Sequence, residues 1–179
     1  MMRKIFVAGN WKMNKTIAEA QELVKALLPE LDKFEDVDAA VCPSYLSVPA
    51  VAELCSGTLL KVGAQNVYWE ESGAYTGEVS PEMVAEVCDY VIVGHSERRQ
   101  LFGEDDALIS EKVRMARSFD LIPVLCVGET EEQRDAGEAE DVVGSQLHLA
   151  LVDAEIEDAG ELVVAYEPAW ALGTGRTAT

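Results

Sequence analysis

Three segments of the chain set a chemically able side chain at the end of an apolar run. His95 follows Tyr90–Val93 and precedes Ser96-Glu97-Arg98-Arg99, which reads as the first turn of a short helix. The positive end of a helix disfavours imidazolium, so a histidine there stays neutral and can donate a hydrogen bond to a carbonyl oxygen. Glu167 ends an apolar strand and is followed by Pro168, which fixes the backbone and withdraws one donor. With water excluded, burial would raise its pKa toward the range of a general base, a role worth about 10²–10⁴ in rate. Asn10 and Lys12 follow the first apolar run, where an amide and a cation could steady an enolate-like oxygen and an anionic substrate. Each also has an ordinary reading: a packed histidine, a surface or salt-bridged glutamate, a surface lysine.

The elements that must position these groups are legible as an alternation. Short β-rich apolar runs recur at Lys4–Ala8, Val37–Cys42, Leu60–Ala64, Tyr90–Val93, Pro123–Val127 and Leu162–Ala165, with segments of helical spacing between them. The first helix takes Thr16 as N-cap and places Ile17, Ala20, Val24, Leu27, Leu28 and Leu31 on one stripe. Ser80 followed by Pro81 opens another. Strands that read as continuous apolar runs are buried on both faces, the mark of a parallel sheet covered by helices. The fold class is therefore α/β. Just past the runs come Gly9-Asn10-Trp11-Lys12, Pro43-Ser44, Gln65-Asn66, Gly94-His95-Ser96, Gly128-Glu129 and Glu167-Pro168. In parallel α/β folds the carboxyl ends of the strands carry the site, so these segments should converge there.

Composition narrows the partners. With 33 acidic and 14 basic residues the formal charge is −19, which repels nucleic acid and anionic membrane and suits a solvated surface at high salt. No apolar run approaches the ~20 residues that span a bilayer, and the expected location is the cytoplasm. Cys42, Cys55, Cys88 and Cys126 lie far apart without a C-x-x-C pair, so free buried thiols are expected and no metal site. Neither a dinucleotide fingerprint nor a P-loop occurs, and no cofactor is expected. The acidic run Glu129–Asp141 reads as a solvated loop and helix start, with a site role for Glu129 or Glu131 as the minor alternative. Pro168-Ala169-Trp170-Ala171-Leu172-Gly173-Thr174-Gly175 has hinge-like ends and an apolar middle, as a closing lid needs; a rigid packed loop is the alternative.

Taken together, Asn10-Trp11-Lys12, Val91 to Arg99 and Ala165 to Gly175 resemble the triosephosphate isomerase family, and the likeness runs the length of the chain. The resemblance implies that Glu167 shuttles a proton between two carbons of a triose phosphate, that neutral His95 polarises the carbonyl, and that Lys12 and Asn10 stabilise the enediolate and bind substrate. It implies supporting roles for Ser96 and Glu97, a packing role for Cys126, and contacts from the lid's Gly173 and Trp170 to the phosphate side. The segment from Gln65 through Tyr75, Thr76 and Gly77 resembles the family's third loop, which docks into a neighbouring subunit, so a homodimer is implied. Arg176 stands where lysine is common.

The same likeness sets an expectation about extent. A complete (β/α)₈ barrel needs about 250 residues, so residues 1–179 should form a single incomplete TIM barrel of six parallel βα units with strands seven and eight missing. Those strands carry the glycine-rich loops that give the family most of its phosphate donors. The chain alone is then expected to be nearly inactive. The alternative is a non-catalytic, self-associating partial barrel or one fragment of a split enzyme, held together through the third loop and the open strand edges.

Overall fold

The computed structural model describes residues 4–31, 33–34 and 36–171. Six parallel strands lie side by side in chain order: β1 (Ile5–Asn10), β2 (Val37–Cys42), β3 (Leu60–Ala64), β4 (Tyr90–Val93), β5 (Ile122–Val127) and β6 (Val163–Tyr166). Between them run α1 (Ile17–Leu31), α2 (Val48–Cys55), α3 (Pro81–Ala85), α4 (Ser96–Phe102), α5 (Asp106–Ser118), α6 (Glu131–Asp135) and α7 (Ala139–Leu151). The result is an incomplete (β/α) barrel, a wall of strands clothed by helices on its outer face. Among the described residues no helix is long and apolar enough to cross a membrane.

Local chemistry explains the element boundaries. The Thr16 hydroxyl accepts from Glu19 N–H at 3.4 Å while the Glu19 carboxylate accepts from Thr16 N–H at 2.8 Å, a reciprocal cap for α1. The Ser80 hydroxyl accepts from Met83 N–H at 3.3 Å, with Pro81 opening α3. On α1 the apolar stripe is buried at Ala20 and Val24 and packs at Leu27, Leu28 and Leu31, whereas Ile17 in the first turn stays exposed.

The alternation of side chains separates two apolar layers. Ala39, Val41, Leu60, Val62, Val91, Val93, Leu125 and Val127 face the helices and join Val24, Val51, Ile109 and Val113 in the larger core. Cys42, Ile92, Val124 and Cys126 face inward with Phe6, Tyr90, Val163 and Ala165. A strand facing apolar neighbours on both sides must be apolar, which is why β4 and β5 read as unbroken runs, while β2 and β3 are broken only by Asp38 and Lys61 near their starts. The two end strands differ. Ile5 and Val7, in register with Val37 and Ala39, are 63 % and 57 % exposed, and Val164 and Tyr166 are 45 % and 48 % exposed.

All four cysteines are free and buried. Burial pushes the Cys42, Cys88 and Cys126 thiols up to about 12, so they pack as small apolar groups and carry little thiolate.

Candidate active site

The carboxyl ends of β1, β3, β4 and β6 deliver the candidate side chains to one place. After β4 the chain turns at Gly94, whose φ is +72°; a Cβ there would sit 3.2 Å from the Cys126 carbonyl oxygen and from Ile109. The turn sets His95 as the N-cap of α4, where its Nδ1 accepts the Glu97 N–H at 3.1 Å. An accepting Nδ1 carries no proton, so the proton of the neutral imidazole resides on Nε2. That atom lies 3.0 Å from Glu167 Oε1, and the ring is only 7 % exposed.

Glu167 follows β6 directly, its N–H donating to the Val127 carbonyl at 2.8 Å. Its Oε2 accepts the Ser96 hydroxyl at 3.0 Å and the Ser96 N–H at 3.4 Å. Burial is the largest single influence on this carboxyl and pushes its pKa up. The hydrogen bonds from His95 and Ser96, with the attraction of His95, together outweigh burial and hold it below the ordinary carboxylate range. This corrects the expectation of a raised pKa, which considered burial without the donors that meet the carboxylate.

Lys12 occupies left-handed backbone space, with φ of +53°. Three contacts hold it there. Its N–H donates to Asn10 Oδ1 at 2.9 Å, its carbonyl accepts Gln65 Nε2 at 2.9 Å, and its Nζ pairs with Glu97 Oε1 at 2.6 Å. Gln65 Nε2 also donates to the Cys42 carbonyl at 2.8 Å, so the amide ties the ends of β1 and β2 to β3. Asn10, Lys12, Gln65, His95, Ser96, Glu97 and Glu167 thus form one connected set. Tyr75 packs on Tyr68 with ring centroids 4.7 Å apart, and Tyr75, Thr76 and Gly77 lie in an exposed loop. Among the described residues no group of three or more histidine, cysteine, aspartate or glutamate side chains could hold a metal ion.

The acidic run after β5 divides into two parts. Glu131, Glu132, Asp135, Glu138 and Glu140 are exposed, as expected of a solvated loop and helix, and Thr130 caps α6. Glu129 departs from that reading: it is fully buried. Its carboxylate accepts Trp170 Nε1 at 2.9 Å, the Tyr166 hydroxyl at 3.0 Å and Arg134 Nη1 at 3.0 Å, and its carbonyl accepts the Ala169 N–H at 3.0 Å. Arg134 also stacks 4.6 Å from the Trp170 ring. Glu129 therefore anchors the start of the expected lid, in keeping with its place among the segments just past the strands and with the minor alternative for the acidic run. Gly173, the rest of the lid and Arg176 lie outside the described residues.

A parallel barrel wall that gathers a histidine, a carboxylate and a paired lysine at its strand ends defines an incomplete (β/α)-barrel protein with a candidate site at the carboxyl ends of its strands. A family model described as triosephosphate isomerase matches residues 5–179. A triosephosphate isomerase of Roseiflexus castenholzii is 54 % identical over 179 residues, covering 99 % of this chain and 70 % of the relative. One from Clostridium botulinum is 52 % identical, covering 99 % and 72 %, and one from Clostridium tetani is 49 % identical, covering 99 % and 70 %. The chain belongs to the triosephosphate isomerase family, and it spans about 70 % of the length of these relatives.

Proposed function

We propose that this chain carries the proton-transfer groups that interconvert dihydroxyacetone phosphate and glyceraldehyde 3-phosphate in glycolysis and gluconeogenesis. The observation that carries the reading is the His95–Glu167 pair, an Nε2–H donor and a carboxylate 3.0 Å apart at the strand ends. An aldose–ketose isomerisation needs a base that removes a proton from one carbon and returns it to its neighbour, and a donor to the oxygen that gathers charge. Glu167 is the base, and Nε2–H of His95 is the donor. Lys12 and Asn10 bind the substrate and the enediolate. Ser96 holds the resting carboxylate, Glu97 orients both Lys12 and His95, and Trp170 with Gly173 serves the lid over the phosphate. The chemistry uses these side chains alone, without metal or cofactor.

The 179 residues by themselves should be a poor catalyst. Hydrogen bonds to a charged group contribute roughly 1.5–3 kcal/mol each, so two or three missing phosphate donors remove about 4–8 kcal/mol of binding. At ~1.4 kcal/mol per decade this is on the order of 10³–10⁶ in kcat/KM. Phosphate binding also orients the substrate, so kcat falls along with KM becoming worse. The test is glyceraldehyde 3-phosphate isomerisation by the purified chain with Glu167→Gln as control. A residual rate that disappears in the variant supports the catalytic reading, near-normal turnover overturns the predicted weakness, and equal rates in both chains support a truncated scaffold carrying an orphaned catalytic set.

We place the protein in the cytoplasm as one partial-barrel domain that self-associates. Met13, Leu46, Met83, Leu101 and Phe102 are all more than half exposed, and they support a homodimer face near the third loop with Gln65, Tyr75, Thr76 and Gly77. A second reading is a non-catalytic assembly or split-enzyme fragment, favoured by the uncovered Ile5, Val7, Val164 and Tyr166 on the end strands. A strictly monomeric species in sedimentation at micromolar concentration would reject self-association by either route.

A further inference from the structure

The bed on which Glu167 rests is fastened from the helix layer by one side chain. Gln146 of α7 is half-buried and makes two hydrogen bonds to a single residue: Gly128 N–H donates to its Oε1 at 2.9 Å, and its Nε2 donates to the Gly128 carbonyl at 3.1 Å. Gly128 lies just past the last β5–β6 register pair, Val127 with Tyr166, so its own polar atoms are beyond the strand ladder. Its neighbours on both sides carry the ties to the next segment, Val127 through Glu167 N–H at 2.8 Å and Glu129 through Ala169 N–H at 3.0 Å. A Cβ built on Gly128 would fall 2.2 Å from the Glu167 carbonyl oxygen, so the two backbones are in direct contact.

Glycine is the residue least able to hold its own backbone angles. Here it forms the surface against which the Glu167 main chain is set, and rotation at Gly128 displaces that surface. Gln146 holds both polar atoms of Gly128 with one planar amide.

We infer that Gln146 is a positioning residue for the site: it fixes the backbone of Gly128, and through it holds Glu167 within reach of His95 Nε2 and Trp170 within reach of Glu129. The catalytic meaning rests on the proposed role of Glu167; the mechanical coupling does not. A plain tie between α7 and β5 would contribute stability and leave the geometry at Glu167 and Trp170 unchanged.

The experiment is NMR on the folded chain with Gln146→Met, similar in length but without the two amide hydrogen bonds, and Gln146→Glu, which keeps the acceptor for Gly128 N–H. The Trp170 indole N–H resonance is assigned through Trp170→Phe, and the His95 ring nitrogens report on the Glu167 contact. In Gln146→Met the Trp170 indole and His95 Nε2 signals should move away from their hydrogen-bonded positions while those of Trp11 and Trp69 stay put. Gln146→Glu should return them part of the way. Unmoved Trp170 and His95 signals, with only a lower unfolding temperature, would overturn the inference. So would failure of both variants to fold, since Gln146 would then be a general stability residue. Neither readout depends on turnover, so failure of the isomerase reading shows only in the Glu167→Gln assay.

Discussion

Ser96 reaches Glu167 with two donors from one residue, its hydroxyl at 3.0 Å and its N–H at 3.4 Å, on the carboxylate oxygen opposite the one facing His95. The carboxylate is thus gripped from both sides in a site that is partly closed to water. Burial alone would push its pKa up, and the donors bring it below the ordinary carboxylate range.

Ser96→Ala should therefore raise the Glu167 pKa, because the hydroxyl is lost while burial remains. Carbon-13 titration of the labelled carboxyl group measures this directly. An unchanged titration would mean that His95 and the Ser96 N–H suffice. The substitution should leave the chain folded, since it removes one oxygen from a small side chain.

Glu129 should act as a structural anchor with a local readout. Glu129→Ala removes the acceptor of Trp170, Tyr166 and Arg134 together, and should destabilise the chain by about 2–4 kcal/mol, the range for orphaning buried polar groups. Urea unfolding gives the stability change. Trp170 fluorescence should shift to the red as its indole loses the buried carboxylate, and a wild-type spectrum would contradict the anchor role.

Acid should loosen the same region. Glu129 is held below the ordinary carboxylate range: burial, the largest influence, pushes it up, and hydrogen bonds from Trp170, its own backbone, Arg134 and Tyr166 together outweigh burial. Glu167 is depressed by His95 and Ser96 in the same manner. A carboxyl whose folded pKa lies below its unfolded value stabilises the fold above the unfolded value and loses that contribution as pH falls through the folded one. The urea midpoint should be level above the ordinary glutamate range and decline below it. A midpoint that stays flat into strong acid would show that these carboxylates contribute nothing net.

The strand layout was legible because its cause is local. Three runs, Val37–Cys42, Leu60–Ala64 and Tyr90–Val93, coincide with β2, β3 and β4, and the others differ by one or two residues at their ends. β1 continues to Asn10 because it pairs with Cys42 of β2, a partner that the run itself does not announce. His95 was readable as a helix cap from the residues after it. The lowered pKa of Glu167 was not readable, because Ser96 arrives from 71 residues away. Glu129 was averaged into an acidic run whose other members are indeed solvated. Gln146 carried no signal at all: a glutamine on an amphipathic helix is an ordinary surface residue until its partner is known.

Lys112 and Glu104 form a buried pair behind the site, and the pair offers the sharpest stability test. Lys112 is 2 % exposed, with its Nζ 2.5 Å from Glu104 Oε1 and 2.7 Å from Asn66 Oδ1, the residue next to Gln65. Burial, the largest influence, pulls the Lys112 pKa down despite the attraction of Glu104. Arg98 Nε shares the same Glu104 oxygen at 2.5 Å. Removing Lys112 leaves Glu104 with Arg98 in a poorly solvated place and takes away the donor to Asn66, so Lys112→Met should cost roughly 1–3 kcal/mol. Removing the charge of both, in Lys112→Met with Glu104→Gln, should cost less than the sum of the two single changes, because the second substitution relieves the charge that the first leaves to Arg98. Unfolding of the two single variants and the double variant completes the cycle. Additive losses would mean that Arg98 alone satisfies Glu104 and that Lys112 is held by packing and Asn66. A double variant nearer to the parent than either single variant would show that the pair fixes the geometry of this layer more than it stabilises it.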